Sequence, residues 1–441
     1  MRQVLTAKLK LATTPAQHES LRATQLAYRD ALNATSRYSF DHGKISNPRK
    51  LHKAMYGALR GTFGLPSQLA CSVCRQVGAT YKSLWTRCKQ NAAQRQAGLT
   101  KKRYKGLDQA PRYVAPTLTY TEGRDYGFKT GQTVSLGTLC GRIVVPYTGY
   151  DKHTALLHHG ARIGAAKLWY DARRKQFYLL VSLVLEITEP APASQQAVVG
   201  VDVGMRYLAV TATPTGQQHF FSGRAARHRA DHYARKRKQL QAKDTRSAQR
   251  RLRQLNGRER RFRLDVNHSI AQAIVTTHPQ AVIGLEALSH IRERTNRHHC
   301  PQASTKQRRA NRRQSSWSFA SLQAMISYKA TLSGSVAIKV DAEYTSQACP
   351  RCGQTGKQNR PHDGLGFACT GCDYRLHADL VGARNVALRT LLVRQDWIST
   401  GCLSTSPDTL TDEAKAARLQ RYSELRWRSS VNMPSAKADG G

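Results

Sequence analysis

The chain has 441 residues, 40% of them hydrophobic, enough for two to four packed units with at least one proper core, which excludes a disordered tail. Its 70 Lys and Arg against 28 Asp and Glu leave a formal charge of +42. Internal ion pairs cannot neutralise that surplus, so a polyanion is the expected partner, with nucleic acid the commonest candidate. The longest apolar run, YLLVSLVLEI from Tyr178 to Ile187, is too short to span a bilayer and reads as a buried strand, so no membrane partner is expected. The opening stretch MRQVLTAKLKLATTP has no uninterrupted hydrophobic segment of the secretory kind. Four of the ten cysteines stand at zinc spacing, so a reducing cytoplasm is the expected compartment.

In chain order, a strand is predicted at about Val4 to Leu11, then a helical period from Pro15 to Tyr38 and a second helix over SQLACSVCRQVGATYKSLWTRCKQ. From Arg103 to Ile187 the texture is β-rich: GRIVVPY is one run, and KLWYDARRKQFYLLVSLVLEI reads as two strands joined at a turn. TEPAPASQQ, Thr188 to Gln196, is a linker by composition. AVVGVDVGMRYLAVTAT resumes as two strands with Gly204 near the turn. A long basic helix is predicted from about Ala225 to Phe262, followed by a more apolar helix and the strand AVIGLEAL. Then come a basic loop from Arg292 to Arg313, a helix from about Ser315 to Leu332, the strand SVAIKVDAEY, a cysteine cluster and a last helix from about Asp379 to Leu392. Past Ile398 the chain is rich in Ser, Thr, Asp and Ala with little periodicity, and weak order is expected there.

The cysteine cluster is the strongest chemical signal. Cys349 and Cys352 are followed, after sixteen intervening residues, by Cys369 and Cys372, the spacing at which two CxxC turns present four sulfurs to one structural Zn²⁺. Cys71 and Cys74 form another CxxC, but inside a helical pattern and without a partner pair, so they read as packing. Three carboxylates stand out for a different reason. Asp202 is the only acid in the apolar strand VVGVDVGMRYLAV, Glu286 is the only acid in AVIGLEAL, and Asp379 opens a helix immediately after the cysteines. A lone acid in a buried strand is costly unless something positive neutralises it. Singly, each has a plain explanation: a turn contact, an exposed strand end, a helix N-cap. In so basic a chain, three converging carboxylates that hold Mg²⁺ for phosphodiester hydrolysis account for all of them together.

GVDVGMRYLAV, IGLEAL, SWSFASLQAMISYKA, EYTSQACPRCG and CTGCDYRLHADLVGARNVA, in that order, resemble the RuvC-like nuclease of the TnpB (OrfB-type) proteins encoded by insertion sequences, and of their relatives, the compact type V CRISPR effectors. The resemblance covers about Ala197 to Leu392, and LTAKLKLATTPAQHESLRATQLAYRDALNATSRYSF is similar to the usual TnpB opening. It implies an α/β multidomain chain with a split RuvC-like (RNase H-like) nuclease at 197–346 and 374–395 and a zinc ribbon inserted at 347–373. A β-barrel-like wedge domain at 1–12 and 103–190 would precede it, with a helical recognition domain inserted at 13–102. A linker at 191–196 and a weakly ordered tail at 396–441 complete the expected boundaries.

The resemblance further implies that Asp202, Glu286 and Asp379 share one two-metal Mg²⁺ site, with the four cysteines holding structural Zn²⁺. It implies a guide RNA of the omega type and target double-stranded DNA as partners, with base pairing supplying specificity. The segment Arg224 to Arg263 holds 16 Lys or Arg against 3 acids, and Arg235, Lys236, Arg237, Lys238, Arg250 and Arg251 are its candidate nucleic-acid contacts. The basic loop 292–313 is expected to act as a lid over the acids. His268 and His377 are assigned no ligand role. One departure stands out: the family's last motif commonly reads Asp-x-Asn-Ala-Ala, whereas this chain has Val381 and Gly382 at the third and fourth positions. A compact type V effector and a guided binder that has lost cleavage are the rival expectations.

Overall fold

Alternating apolar residues make Arg2–Leu11 (β1) a strand whose Ala7, Leu9 and Leu11 are fully buried. The computed structural model describes residues 2–115, 117–158, 160–188, 190–192, 196–288, 304, 308, 311–313, 317–361, 365–407 and 412–427. Most of the expected lid at 292–313, part of the 191–196 linker and the end of the tail lie outside these residues. The chain divides into two compact units, Met1–Glu186 and Ile187–Gly441.

In the first unit, Thr14 opens Pro15–Asp41 (α1) with a capping box: its hydroxyl accepts from Gln17 N at 3.3 Å while the Gln17 side chain accepts from Thr14 N at 3.1 Å. Pro48–Gly61 (α2) and Ser67–Gln96 (α3) follow. Leu21, Tyr28, Leu51, Val73, Val77 and Tyr81 are buried in the core shared by these helices and the sheet. Cys74 is buried there too and Cys71 half-buried, both as free thiols, which suits a packing role. The strands are Thr117–Tyr120 (β2), Tyr126–Lys129 (β3), Thr133–Thr138 (β4), Gly141–Thr148 (β5), Ala161–Asp171 (β6) and Gln176–Glu186 (β7), with the short helix Asp151–His158 (α4) between β5 and β6. They form one antiparallel seven-stranded sheet in the order β2-β6-β7-β1-β5-β4-β3. Its two ends curl toward each other: Tyr120 Oη of β2 donates to Gly137 O of β4 at 2.8 Å, and Tyr126 Oη of β3 donates to Gly164 O of β6. The apolar run at 178–187 is β7, between β6 and β1, where no backbone group is left unpaired by an edge.

The second unit is built on Val198–Asp202 (β8), Tyr207–Ala212 (β9), Gln218–Ser222 (β10), Val282–Glu286 (β11) and Val336–Val340 (β12), in the sheet order β10-β9-β8-β11-β12. β8, β11 and β12 run parallel, and β9 and β10 antiparallel to their neighbours. The predicted single basic helix is instead two, Arg224–Ala242 (α5) and Arg246–Thr277 (α6). Asp244 takes φ 39° and Thr245 caps α6 by accepting from Ala248 N at 3.1 Å, so the chain folds back. The fold-back brings Arg237 of α5 onto Glu259 of α6, a bond that one continuous helix cannot make across 22 residues. Phe319–Leu332 (α7) leads into β12. After the cysteine cluster, with its small hairpin Gly366–Ala368 (β13) and Arg375–His377 (β14), comes Ala378–Thr400 (α8). It runs about two turns beyond the predicted end and stops at Gly401, φ 68°, a left-handed cap. The expected weakly ordered tail contains a helix, Asp412–Ser423 (α9). Arg418 and Tyr422 of α9 bond the buried Asp341 carboxylate, which explains its order. Among the described residues no helix is long and apolar enough to cross a membrane.

Candidate functional site

Asp202 is the last residue of β8 and Glu286 the last of β11. Val201 is in register with Leu285, so the two acids emerge side by side at the carboxyl ends of parallel strands, where open α/β sheets bind ligands. What delivers the third acid is a pair of glycines. Gly200 and Gly284 are register partners, and a Cβ on Gly200 would collide with the Ala383 and Ala387 backbone, while one on Gly284 would strike Thr390 Oγ1. The two glycines leave a trough in which α8 lies directly on the sheet, and Asp379, in its first turn, comes down at the same end. A Cβ on Gly204 would stand 3.9 Å from Asp379 Oδ2, and one on Gly382 would stand 3.1 Å from Asp202 Cγ and Oδ1.

Burial, then Glu286, then Asp379 push the Asp202 carboxyl well above its ordinary range, with Arg360 acting in the opposite sense. Burial also raises Glu286, against the Thr345 hydroxyl and the Arg389 charge, which favour its ionised form. Asp202 thus feels both other acids. The three carboxylates do not all come within 4.8 Å of one another, whereas the four cysteine sulfurs do. A half-buried carboxylate raised by two neighbouring acids belongs to the donor set of a hard divalent cation, whose charge would relieve that repulsion.

The sulfur cluster fits zinc by geometry. Cys349 and Cys372 Sγ are 3.8 Å apart and Cys352 and Cys369 Sγ 3.5 Å, near the edge of about 3.8 Å for a tetrahedron with Zn–S bonds of about 2.3 Å. Gly353, φ 83°, turns the first knuckle, its N–H donating to Cys349 O at 2.9 Å. In the second, Gly371 N donates to Cys369 Sγ at 3.4 Å. The buried Asn359 ties the two together: its Nδ2 donates to Gln347 O and Gln354 O, and its Oδ1 accepts from the Thr370 backbone and hydroxyl. Val381 completes this module's apolar contacts with Cys349, Phe367 and Tyr374. The departure at 381–382 therefore has a physical account, with Val381 packed on the cysteine module and Gly382 lying against the Asp202 carboxylate.

Arg235, Lys236, Lys238, Arg250 and Arg251 lie along the α5–α6 hairpin and reach solvent, but Arg237 is engaged with Glu259, which also holds Arg263. Arg312 and Arg313, at the end of the basic loop, pair with the largely buried Asp231 of α5. His268 Nδ1 meets Tyr328 Oη at 3.2 Å, and His377 caps α8 by accepting from Asp379 N at 3.2 Å. Sequence reasoning missed Thr345, Asn385 and Arg389. The signal for the last two was two polar residues four apart on a helix face that is otherwise apolar, since both are buried in α8.

Fold and site together define an α/β protein with a half-buried and a buried acid, Asp202 and Glu286, at the carboxyl ends of parallel strands and a four-cysteine centre inserted before the last acid. Residues 182–290 match the family described as "Probable transposase" (OrfB_IS605), and residues 319–386 match "Cas12f1-like, TNB domain". The "CRISPR-associated endodeoxyribonuclease Cas12f1" of Sulfoacidibacillus thermotolerans is 27% identical over 56% of this chain and 58% of its own length. The "Putative RNA-guided DNA endonuclease InsQ" of Escherichia coli (strain K12) is 24% identical over 60% of this chain and 66% of its own. The matches thus span less than two thirds of those relatives' lengths. The structure described as "Cryo-EM structure of CasPhi-2 (Cas12j) bound to crRNA" is similar in fold, with a TM-score of 0.53 and 10% identity over 88% of this chain and 98% of that one. In these segments the chain is similar both to TnpB-type proteins and to type V effectors.

Proposed function

We propose that the protein is an RNA-guided DNA endonuclease of the TnpB type, associated with a transposable element, which hydrolyses target DNA at a single RuvC-like site. The observation that carries this reading is the convergence on Asp202 of Glu286 and Asp379, from three separate elements of a chain with charge +42. Its support from relatives is the matches to an endodeoxyribonuclease and to a protein described as an RNA-guided endonuclease. Asp202, Glu286 and Asp379 would hold Mg²⁺, which when bound supplies water activation and stabilisation of the leaving oxygen in phosphodiester hydrolysis. The protein's own part is to bring three carboxylates, one buried and two half-buried, to one end of the sheet and to hold them in place. Cys349, Cys352, Cys369 and Cys372 would hold a structural Zn²⁺, and the α5–α6 hairpin would meet the phosphates of guide RNA or target DNA.

A compact type V effector is the second reading, favoured by the match at 319–386. A repeat array beside the gene would select it, and insertion-sequence ends would select TnpB. The test of the activity is DNA cleavage by the full-length protein co-expressed with its flanking sequence, with Mg²⁺ or EDTA, beside Asp202→Ala. The expected result is target cleavage that requires Mg²⁺ and disappears in Asp202→Ala while RNA binding persists. Wild-type protein that binds DNA through RNA without cutting it would overturn the nuclease reading.

A further inference from the structure

Between β12 and the first cysteine knuckle the chain passes through Asp341 to Ala348, a segment gripped by one face of α8. Asn385 Nδ2 donates to Thr345 O at 2.7 Å and to Ala348 O at 2.8 Å. One turn further on, Arg389 donates to Glu343 O at 2.7 Å and to Asp341 O. Asn385 and Arg389 are 6% and 4% exposed, so their donors are withdrawn from water, where an unmade partner is costly. Tyr344 takes φ 61°, a backbone region that bulky residues avoid and that persists only where its surroundings impose it. Its side chain is half exposed to solvent while the next residue turns inward. That residue, Thr345, is 4% exposed, and its Oγ1 lies 2.6 Å from Glu286 Oε1 and 3.1 Å from Ala342 O. The hydroxyl carries one proton, and an ionised carboxylate is the stronger acceptor. From the other side, Gln323 of α7 donates to the Glu286 backbone carbonyl at 2.8 Å.

We propose that Thr345 is a positioning residue for Glu286: its hydroxyl fixes the rotamer of that carboxylate, and Asn385 holds Thr345 in register through the segment that leads into the cysteine module. The inference rests on the reading of Asp202, Glu286 and Asp379 as a divalent-metal site. It gives the module's location a purpose, because the residue that orients one acid lies four positions before Cys349, and the helix that carries another acid clamps both Thr345 and Ala348. A ligating carboxylate held by an outer partner binds its metal more tightly, and loss of such a partner typically costs about 10- to 100-fold.

The test uses Mn²⁺ as the probe. Its binding to the full-length protein is measured by electron paramagnetic resonance, and only the component abolished by Asp202→Asn is counted. Thr345→Val keeps the shape and removes the hydroxyl, Thr345→Ala removes it without adding a methyl, and Thr345→Ser keeps it. Zinc content and the unfolding temperature are recorded for each. The expected result is an affinity about 10- to 100-fold lower in the Val and Ala variants, near wild type in Ser, with zinc retained, and a matching rise in the Mg²⁺ needed for half-maximal cleavage. Wild-type affinity in Val or Ala overturns the positioning role while leaving the metal site intact. An equal loss in Ser overturns it too, because the methyl rather than the hydroxyl would then matter. Wild-type protein without any Mn²⁺ binding that depends on Asp202 overturns the metal site itself, and the positioning role with it.

Discussion

A carboxylate's behaviour is set by what surrounds it, and Asp125 is an instance far in sequence from the candidate site. It is 4% exposed, its Oδ1 accepts from Thr121 N, and its buried Oδ2 has no hydrogen-bond partner among the described residues. Burial is the chief cause that raises its pKa to about 6, against hydrogen bonds that lower it. A raised carboxylate pKa means that the folded state holds its proton where the unfolded chain has released it. The cost is therefore absent below the ordinary value near 3.8 and grows as pH climbs through about 6. The wild-type protein is expected to lose on the order of 1–2 kcal/mol across that window, after allowance for solvent screening. Asp125→Asn should flatten this dependence, as read by urea unfolding of the full-length protein at about pH 4 and about pH 7. At the same scale, Gly382 matters for the atoms it lacks, because it leaves the Asp202 carboxylate room beside α8.

At the scale of elements, the decisive contact is α8 lying on the five-stranded sheet. Helices do not ordinarily approach a sheet so closely that a single methyl is refused by backbone, but Gly200 meets the Ala383 and Ala387 backbone in that way. At Gly284 the obstacle is the Thr390 side chain, which has some freedom to move. Gly200→Ala should thus lift α8 and destabilise the protein by about 1–3 kcal/mol, the usual range for overpacking. The same displacement should weaken Asp202-dependent Mn²⁺ binding, since Asp379 travels with the helix. Chemical denaturation and metal titration of the one variant check both. The α5–α6 hairpin follows a different logic: Arg237 of α5 bridges to one buried acid, Glu259 of α6, which Arg263 of the same helix also engages, and its outer surface is left to cations in large excess over acids.

At the scale of the whole molecule, a charge of +42 makes binding to a polyanion strongly dependent on salt. Cations that meet phosphate and cations that hold the fold should separate cleanly in this respect. Replacing Arg235, Lys236, Lys238, Arg250 and Arg251 by Gln should weaken RNA binding at every salt concentration. It should also reduce the slope of log affinity against log salt by about 0.7–0.9 for each phosphate that is no longer neutralised. Arg237→Gln should leave that slope nearly unchanged and lower the unfolding temperature, because its guanidinium is committed to Glu259. Filter binding over a salt series and thermal melts of both variants provide the check.

By itself the sequence determined whatever depends on neighbours close along the chain. Alternation marked β1, apolar runs marked β7 and β11, and the paired CxxC turns marked the sulfur cluster. Lone acids in apolar strands marked Asp202 and Glu286, since a buried charge is conspicuous wherever the strand around it is apolar. The break at Asp244 and Thr245 was written in turn and cap residues, but the charge pattern runs through it unbroken and hid it. The order of α9 was hidden for a further reason, because its polar composition matches that of a free tail and the acids that dock it, Asp341, Glu343 and Asp396, lie 25 to 81 residues back along the chain. Tertiary structure alone decided that Gly200 and Gly284 stand side by side beneath α8 and that the Thr345 hydroxyl meets the Glu286 carboxylate. Each is a meeting of segments far apart in the chain, and such a meeting is selected by the packing of the whole core, which no local pattern encodes.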